Sequence, residues 1–331
     1  MAALIGLWAS LAPAHDLVES VDRALLDSAY RHAARLPRIR SVLVAHRGRL
    51  VRERYFHGAS RELPHNIKSS SKSVLSALVG IAIEQKRIGS VRQPIGPYFS
   101  NELAAEADHR KAAITIEDLL TMRSGLETTS FYNYGRWVNS RNWVRFTLAQ
   151  PMISDPGDQM IYSTGNSHLL SAILTRVSGM STLQFANRYL AQPLGASIAR
   201  WQRDPQGIYF GGNDMFLTPR AMLAFGNLYL RHGRSSEGRQ IVPGWWVDSS
   251  FVNRTRSGWS GNEYGYGWWS RQLGGREAHF AWGYGGQMIF VVPSVELTVV
   301  MTSDPEATTR EGDHLDALYE IMARYIVPAF E

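Results

Sequence analysis

What most constrains the fold of this chain is where its strand-like segments lie. "SVLVAHRGRLVRERYFHG" at 41–58 reads as two strands, Val42–Ala45 and Leu50–Phe56, turning at Arg47-Gly48. "EYGYGWWSRQ", "REAHFAWG", "GQMIFVVPS" and "ELTVVMTSD", all beyond residue 262, read as further antiparallel strands. Between these two groups, from Ile114 to about Gly233, the pattern is helical with loops, including an aromatic-rich loop around Phe131–Trp143. Strands at both ends and helices in the middle predict one sheet built from both termini, with a helical domain inserted between them. The class is α+β: an antiparallel sheet flanked by N- and C-terminal helices plus an inserted mainly helical domain. The flanking helices are read in "DLVESVDRALLDSAYRHAARL", with Leu17, Val21, Leu25 and Tyr30 at helical spacing, and in "HLDALYEIMARYIV". The expected boundaries are 15–68 and 251–331 for the discontinuous α/β domain and 69–250 for the helical one.

Composition narrows the chemistry. The formal charge of +6 raises nucleic acid as a partner, but the arginines are spread singly and no basic-aromatic recognition module occurs. Mild bunching at Arg47, Arg49, Arg52 and Arg54 reads as the polar face of a strand. No nucleic-acid partner is expected. No apolar run reaches the roughly 20 residues of a membrane span, so no stable span is expected. With no cysteine, disulfides, thiolate-metal sites and a cysteine nucleophile are excluded together. The ten histidines are scattered without a His-Glu-x-x-His, so no metal and no cofactor are expected. Met1–Ala14 ends in Ala12-Pro13-Ala14, which suits a signal-peptidase site and export to the periplasm or beyond. It lacks a positive n-region, which leaves a short N-terminal helix and a cytoplasmic protein as the alternative. The oligomeric state is not legible.

Of the 35 Lys and Arg residues only four are lysines (Lys68, Lys72, Lys86, Lys111), and two of these fall in "IKSSSKSVLSALVGIAIE". Serine needs a base within hydrogen-bonding reach to act as a nucleophile. Residues three apart share a helix face, so Ser69 and Lys72 lie side by side at the mouth of an apolar helix read over Val74–Gln85. There the helix N-terminus and partial burial both disfavour the ammonium. A lysine can then take a proton, which an arginine cannot. The same residues also fit a Ser-Ser-Ser cap with a solvated lysine. Ser70 and Ser73 read as capping or packing residues, and only Ser69 has a lysine at +3. Tyr162, in a loop after Pro156-Gly157, fits a proton relay whose phenol ionises more easily near an ammonium, or equally an anchor at a helix entry. In "HFAWGYGGQMIFVVP", Gly283, Gly285 and Gly286 leave a strand edge free to present an N–H to an oxyanion, or form an aromatic-glycine turn. No Gly-x-Ser-x-Gly elbow or phosphate loop occurs.

Taken in this order, the three elements resemble the penicillin-recognising serine hydrolases. The branch is that of class C β-lactamases, family VIII carboxylesterases, D-aminopeptidase-like enzymes and 6-aminohexanoate-dimer hydrolase. "TIEDLLTMRSGL", "PGDQMIYSTGNSHLLSAILTRVSG", "QPLGA" and "GGNDMFLTPRAMLAFGNLYL" are similar to that family's collateral segments, and the resemblance runs from about Val42 to Asp304. It implies the β-lactamase/transpeptidase-like fold, a nucleophile at Ser69, a base partner at Lys72 and proton transfer assisted by Tyr162. It further implies an oxyanion held by the Ser69 N–H and the N–H of Tyr284. Whether Lys72 or Tyr162 takes the serine proton stays open. Two departures bear on substrate. Thr164 stands where β-lactamases have the asparagine of Tyr-x-Asn, and Ala281-Trp282-Gly283 stands where they have Lys-Thr-Gly, whose lysine helps bind a carboxylate. A cavity lined by Trp282 and Tyr284, with Trp268 and Trp269 beside them, favours a less charged acyl compound. The expected substrate is a small-molecule carboxylic ester or amide. A β-lactamase or D,D-peptidase, and a binding or sensor module of the same fold, are the alternatives.

Overall fold

The computed structural model describes residues 21–307 and 310–331, so the expected leader at 1–14 and the beginning of the first helical pattern lie outside the described residues. Helix α1 (Arg23–Ala33) starts where Asp22 caps it, its carboxylate accepting from the N–H groups of Ala24 and Leu25 at 2.9 and 3.0 Å. A hairpin of β1 (Ile39–His46) and β2 (Arg49–Tyr55) follows. Then come helix α2 (Ser71–Glu84) and a block of helices whose longest is α3 (Thr164–Ser178). Helices α4 (Pro219–Leu230) and α5 (Gly244–Phe251) lead into strands β3 (Thr255–Arg256), β4 (Glu263–Tyr264), β5 (Trp269–Leu273), β6 (Arg276–Gly283), β7 (Gln287–Val292) and β8 (Leu297–Ser303). Helix α6 (Glu311–Ile321) and a π-helical turn at Met322–Ile326 close the chain.

The eight strands form one sheet in the order β2-β1-β8-β7-β6-β5-β4-β3. All neighbours are antiparallel, and β1 pairs with β8 so that Val42 faces Met301 and Val44 faces Val299. Thus the two ends of the chain do share one sheet. Every residue of β7 and β8 is buried, because α1 and α6 cover one face and α2 and α4 the other. That double cover explains the continuous rather than alternating apolar runs in "QMIFVV" and "LTVVMTS". Strand β2, at the edge, carries the bunched arginines, which blunts an otherwise open ladder. The expected strands and terminal helices are present, with bounds shifted by a few residues.

The middle of the chain departs more from expectation. The aromatic-rich loop is instead a string of short helical turns at Phe131–Asn133, Tyr134–Val138 and Trp143–Leu148. Their bends keep any apolar periodicity too short to read. A small three-stranded sheet joins His65–Asn66, Met215–Leu217 and Arg200–Trp201, with partners too far apart in sequence for a local pattern to signal. Helix α4 begins as expected, with Thr218 as N-cap and Pro219 at its first position, but it lies directly on the sheet. A Cβ at Gly226 would meet Thr298 and Ile289 side chains at 2.6 and 2.8 Å.

Helix α2 is buried nearly all round, since it runs between the sheet, α3 and α5. Its Gly80 sits under the buried Trp246 of α5, where an added Cβ would lie 2.3 Å from the indole ring. Alanine is the better helix former by about 1 kcal/mol, but overpacking a filled site costs about 1–3 kcal/mol. The clash is the larger effect, so Gly80→Ala is expected to lower the denaturation midpoint in urea. A raised midpoint would mean that Trp246 has room to retreat.

Candidate active site

Ser69 lies in a 3-10 turn, Lys68–Ser70, that feeds straight into α2. Four serines at the start of the segment, Ser69, Ser70, Ser71 and Ser73, separate by what their hydroxyls do. Ser70 donates to the Gln287 carbonyl at 2.6 Å, Ser73 to the Gly267 carbonyl at 2.6 Å and Ser71 to the Lys68 carbonyl at 2.7 Å. Ser70 and Ser73 therefore pin the turn and helix to the sheet side. Ser69 Oγ faces Lys72, 3.0 Å from Nζ, and lies within hydrogen-bonding reach of the Tyr162 hydroxyl. The turn is held against the end of β6 by close backbone approach. A Cβ at Gly283 would stand 2.2 Å from the Ile67 carbonyl oxygen, so a residue with a side chain would push β6 and the serine turn apart.

Lys72 is buried, and its Nζ contacts Ser69 Oγ, Thr164 Oγ1 at 3.3 Å and the Gly212 carbonyl at 2.8 Å. No carboxylate is among these partners. Burial lowers its pKa from 10.5 to about 7. Desolvation by burial is the cause. A neutral amine fits the three contacts well: two N–H groups donate to Gly212 and Thr164, and the lone pair faces the Ser69 hydroxyl. Gly212 was not singled out from the sequence. Its φ of +85° and a hypothetical Cβ only 2.7 Å from Lys72 Cγ both require glycine there.

Tyr162 precedes α3 and stacks on Trp269 at 6.0 Å between centroids, with Lys72 Nζ 5.1 Å from its ring centre. Burial raises its pKa to about 12, offset only in part by the hydrogen bond with Ser69. The expectation that a neighbouring ammonium would ease loss of the phenol proton is therefore corrected. With its pKa lowered to about 7, the buried lysine keeps its charge only in part at neutral pH, and desolvation of the phenol outweighs what that charge contributes to stabilising a phenolate. Thr164, at the first position of α3, links Lys72 to Ser130, whose Oγ is 3.0 Å from Thr164 Oγ1 and also accepts the Thr164 N–H at 2.9 Å. Ser130 carries no mark in "ETTSFYN", and Phe131 reads there only as the start of an aromatic-rich loop, without a place at the cavity.

These groups open into a cavity of about 500 Å³. Trp282 and Tyr284 line it as expected, and Tyr284 begins the turn after β6. Its N–H makes no hydrogen bond among the described residues. Trp269 lines the cavity, but Trp268 points into the core against Tyr229 and Phe251, since neighbouring strand residues face opposite sides of the sheet. Trp259, from the β3–β4 connection, completes the ring cluster, 5.2 Å from Trp282 and 6.2 Å from Phe131. A second correction concerns charge. The 281–283 segment carries no cation, but Lys68 lines the cavity, entering from the serine turn. Its φ of +50° is a conformation that usually costs a non-glycine residue about 1–3 kcal/mol. Among the described residues no group of three His, Asp or Glu side chains is placed to hold a metal, and no helix is long and apolar enough to cross a membrane.

Residues 39–321 match the family described as Beta-lactamase, and the chain belongs to it. It is similar to the 6-aminohexanoate-dimer hydrolase of Paenarthrobacter ureafaciens, 24% identical over 302 residues that cover 83% of this chain and 75% of that protein. Among solved structures it is similar to a penicillin-binding protein homolog from Caulobacter crescentus, with a TM-score of 0.73, 16% identity and coverage of 92% of this chain and 96% of that one. It is also similar to EstCE1, a hydrolase with promiscuous acyltransferase activity, with a TM-score of 0.70, 18% identity and coverage of 90% and 99%. At these identities the likenesses between structures show the fold.

Having only four lysines makes the Lys72 pKa directly measurable. Side-chain NMR of lysine-labelled protein is expected to show one signal titrating near pH 7 and absent from Lys72→Met. A Lys72 signal that titrates above pH 10 would mean that the site is wetter than its packing indicates.

Proposed function

We propose that this member of the Beta-lactamase family is a serine hydrolase that forms an acyl-enzyme on Ser69, and that its substrates are carboxylic esters or small amides. The observation that carries the reading is a buried lysine, with a pKa near 7 and no carboxylate partner, 3.0 Å from a serine hydroxyl at an open cavity. A module that only binds has no use for such a group, because burying an amine that could be ionised costs stability without adding recognition. The relative named as a 6-aminohexanoate-dimer hydrolase and the neighbour named as a hydrolase support the same reaction type.

Ser69 Oγ attacks the carbonyl carbon while its proton passes to the neutral Lys72 amine. The oxyanion that forms is held by the N–H groups of Ser69 and Tyr284. As the tetrahedral intermediate collapses, the leaving group takes a proton from the Tyr162 hydroxyl, and the protonated Lys72 amine returns one to Tyr162. Water then attacks the acyl-enzyme and gives its proton to Lys72, which passes it to Ser69 Oγ as the acid is released. With Lys72 near 7 and Tyr162 near 12, the lysine is the group able to accept a proton at neutral pH. The ester reading is favoured over a β-lactam because the strand segment Ala281-Trp282-Gly283, which stands where β-lactamases keep Lys-Thr-Gly, brings an indole and no cation.

Intact-mass analysis after a fluorophosphonate probe is expected to show a single adduct that maps to Ser69. Ser69→Ala abolishes it, and Lys72→Arg nearly does, since charge is kept and basicity lost. Near wild-type turnover by Lys72→Arg would refute the proton-transfer role.

Because the base must be unprotonated, kcat/KM for p-nitrophenyl butyrate is expected to rise with pH through about 7 and then level off. A profile flat from pH 5.5 to 9 contradicts Lys72 as the base. Tyr162→Phe is expected to cost about 10²–10⁴-fold in rate with little change in Tm. A comparably large loss of thermal stability would assign the ring a structural role. Nitrocefin is expected to be hydrolysed less efficiently than the butyrate ester, and a tenfold preference for nitrocefin would restore the β-lactamase reading.

A further inference from the structure

One charged group at the cavity has no part in the steps above. Lys68 is the only charged residue among the described residues that line it. Its side chain is 21% exposed, and its nearest carboxylate, Asp214 Oδ1, is 4.0 Å away, at the outer limit of an ion pair. That same oxygen is already engaged at 2.6 Å by the side-chain amide of Asn66. Among the described residues the Lys68 ammonium makes no hydrogen bond, so its three donors are available to something in the cavity. The backbone does not explain the residue either. At a φ of +50° glycine or asparagine would sit with less strain, so lysine occupies the position for its side chain.

The surroundings narrow the ligand. Asp214 beside the ammonium repels a dianion, which disfavours a phosphate monoester and leaves room for a single negative charge. The ring cluster of Tyr162, Trp259, Trp269 and Trp282 supplies an apolar bed in the same cavity. We propose that the substrate is an ester or amide whose acyl group is a flexible, largely apolar chain ending in a carboxylate, and that Lys68 binds that carboxylate. The proposal rests on the Ser69 reading and specifies its substrate class. It does not extend to β-lactams, whose rigid ring system presents its carboxylate toward the strand that here bears Trp282.

The test compares kcat/KM for p-nitrophenyl hydrogen adipate and p-nitrophenyl hexanoate, which share chain length and leaving group and differ in the terminal carboxylate. The wild type is expected to prefer the adipate by roughly ten- to a hundredfold, the range of a charge-assisted contact. The preference should reside mainly in KM and shrink in high salt. Lys68→Gln should remove both the preference and its salt dependence, Lys68→Arg should keep them, and Asp214→Asn should enlarge the preference by removing the competing carboxylate. Equal rates for the two esters in the wild type, or a preference that survives in Lys68→Gln, would overturn the assignment while leaving the Ser69 reading intact. Turnover of neither ester would overturn the Ser69 reading and this one with it.

Discussion

The site is organised around a buried amine. Lys72 Nζ reaches Ser69 on its own helix, Thr164 at the start of α3 and the Gly212 carbonyl in the loop before α4. Three stretches far apart in sequence therefore converge on one nitrogen. Removing a lysine from water is costly unless it sheds its proton or finds a counter-charge. Here there is no counter-charge, so the amine is driven toward its neutral form. Depressed basicity and a fixed position beside Ser69 are two consequences of the same burial. Glycine at 212 follows from it, because a side chain there would displace the lysine stem.

A second constraint ties this nitrogen to the sheet. Ser70 and Ser73 bond to carbonyls at Gln287 and Gly267, and the backbone at Ile67 packs against Gly283. The serine turn is thereby fixed relative to the end of β6, where the Tyr284 N–H makes no hydrogen bond among the described residues. Ser69 and the candidate oxyanion donors are held by backbone contacts on a sheet whose central strands are buried on both faces. Such a frame moves little, which is what electrostatic stabilisation of a tetrahedral intermediate requires.

The cavity above this frame is two-sided in character. Trp259, Trp269 and Trp282 lie within 6 Å of one another by ring centroid, whereas Lys68 keeps company with Asp214 and Asn66. A strand position without a cation pointed to an uncharged acyl group. The cavity's positive charge instead stands at Lys68, the residue before Ser69.

Much of this was legible in the chain itself. The runs around Val44, Phe290 and Val299 mark strands because residues buried on both faces must be apolar, and Thr218-Pro219 marks a helix start through the chemistry of unsatisfied N–H groups. That Ser69 and Lys72 stand side by side is legible because residues three apart share a helix face, and that spacing puts an amine within hydrogen-bonding reach of a serine hydroxyl. Tyr162, in another segment, is marked only by the family resemblance. What sequence could not decide were contacts made across distance. Gly212 and Ser130 carry no local mark, since their roles are defined by a lysine and a threonine from other segments. Trp268 and Trp269 are the same residue type in adjacent positions, and only the facing of β5 sends one into the core and the other into the cavity. The ionisation of Lys72 and Tyr162 likewise belongs to the assembled site, because a pKa is set by the water and charge that packing leaves around a group, and local sequence does not specify those.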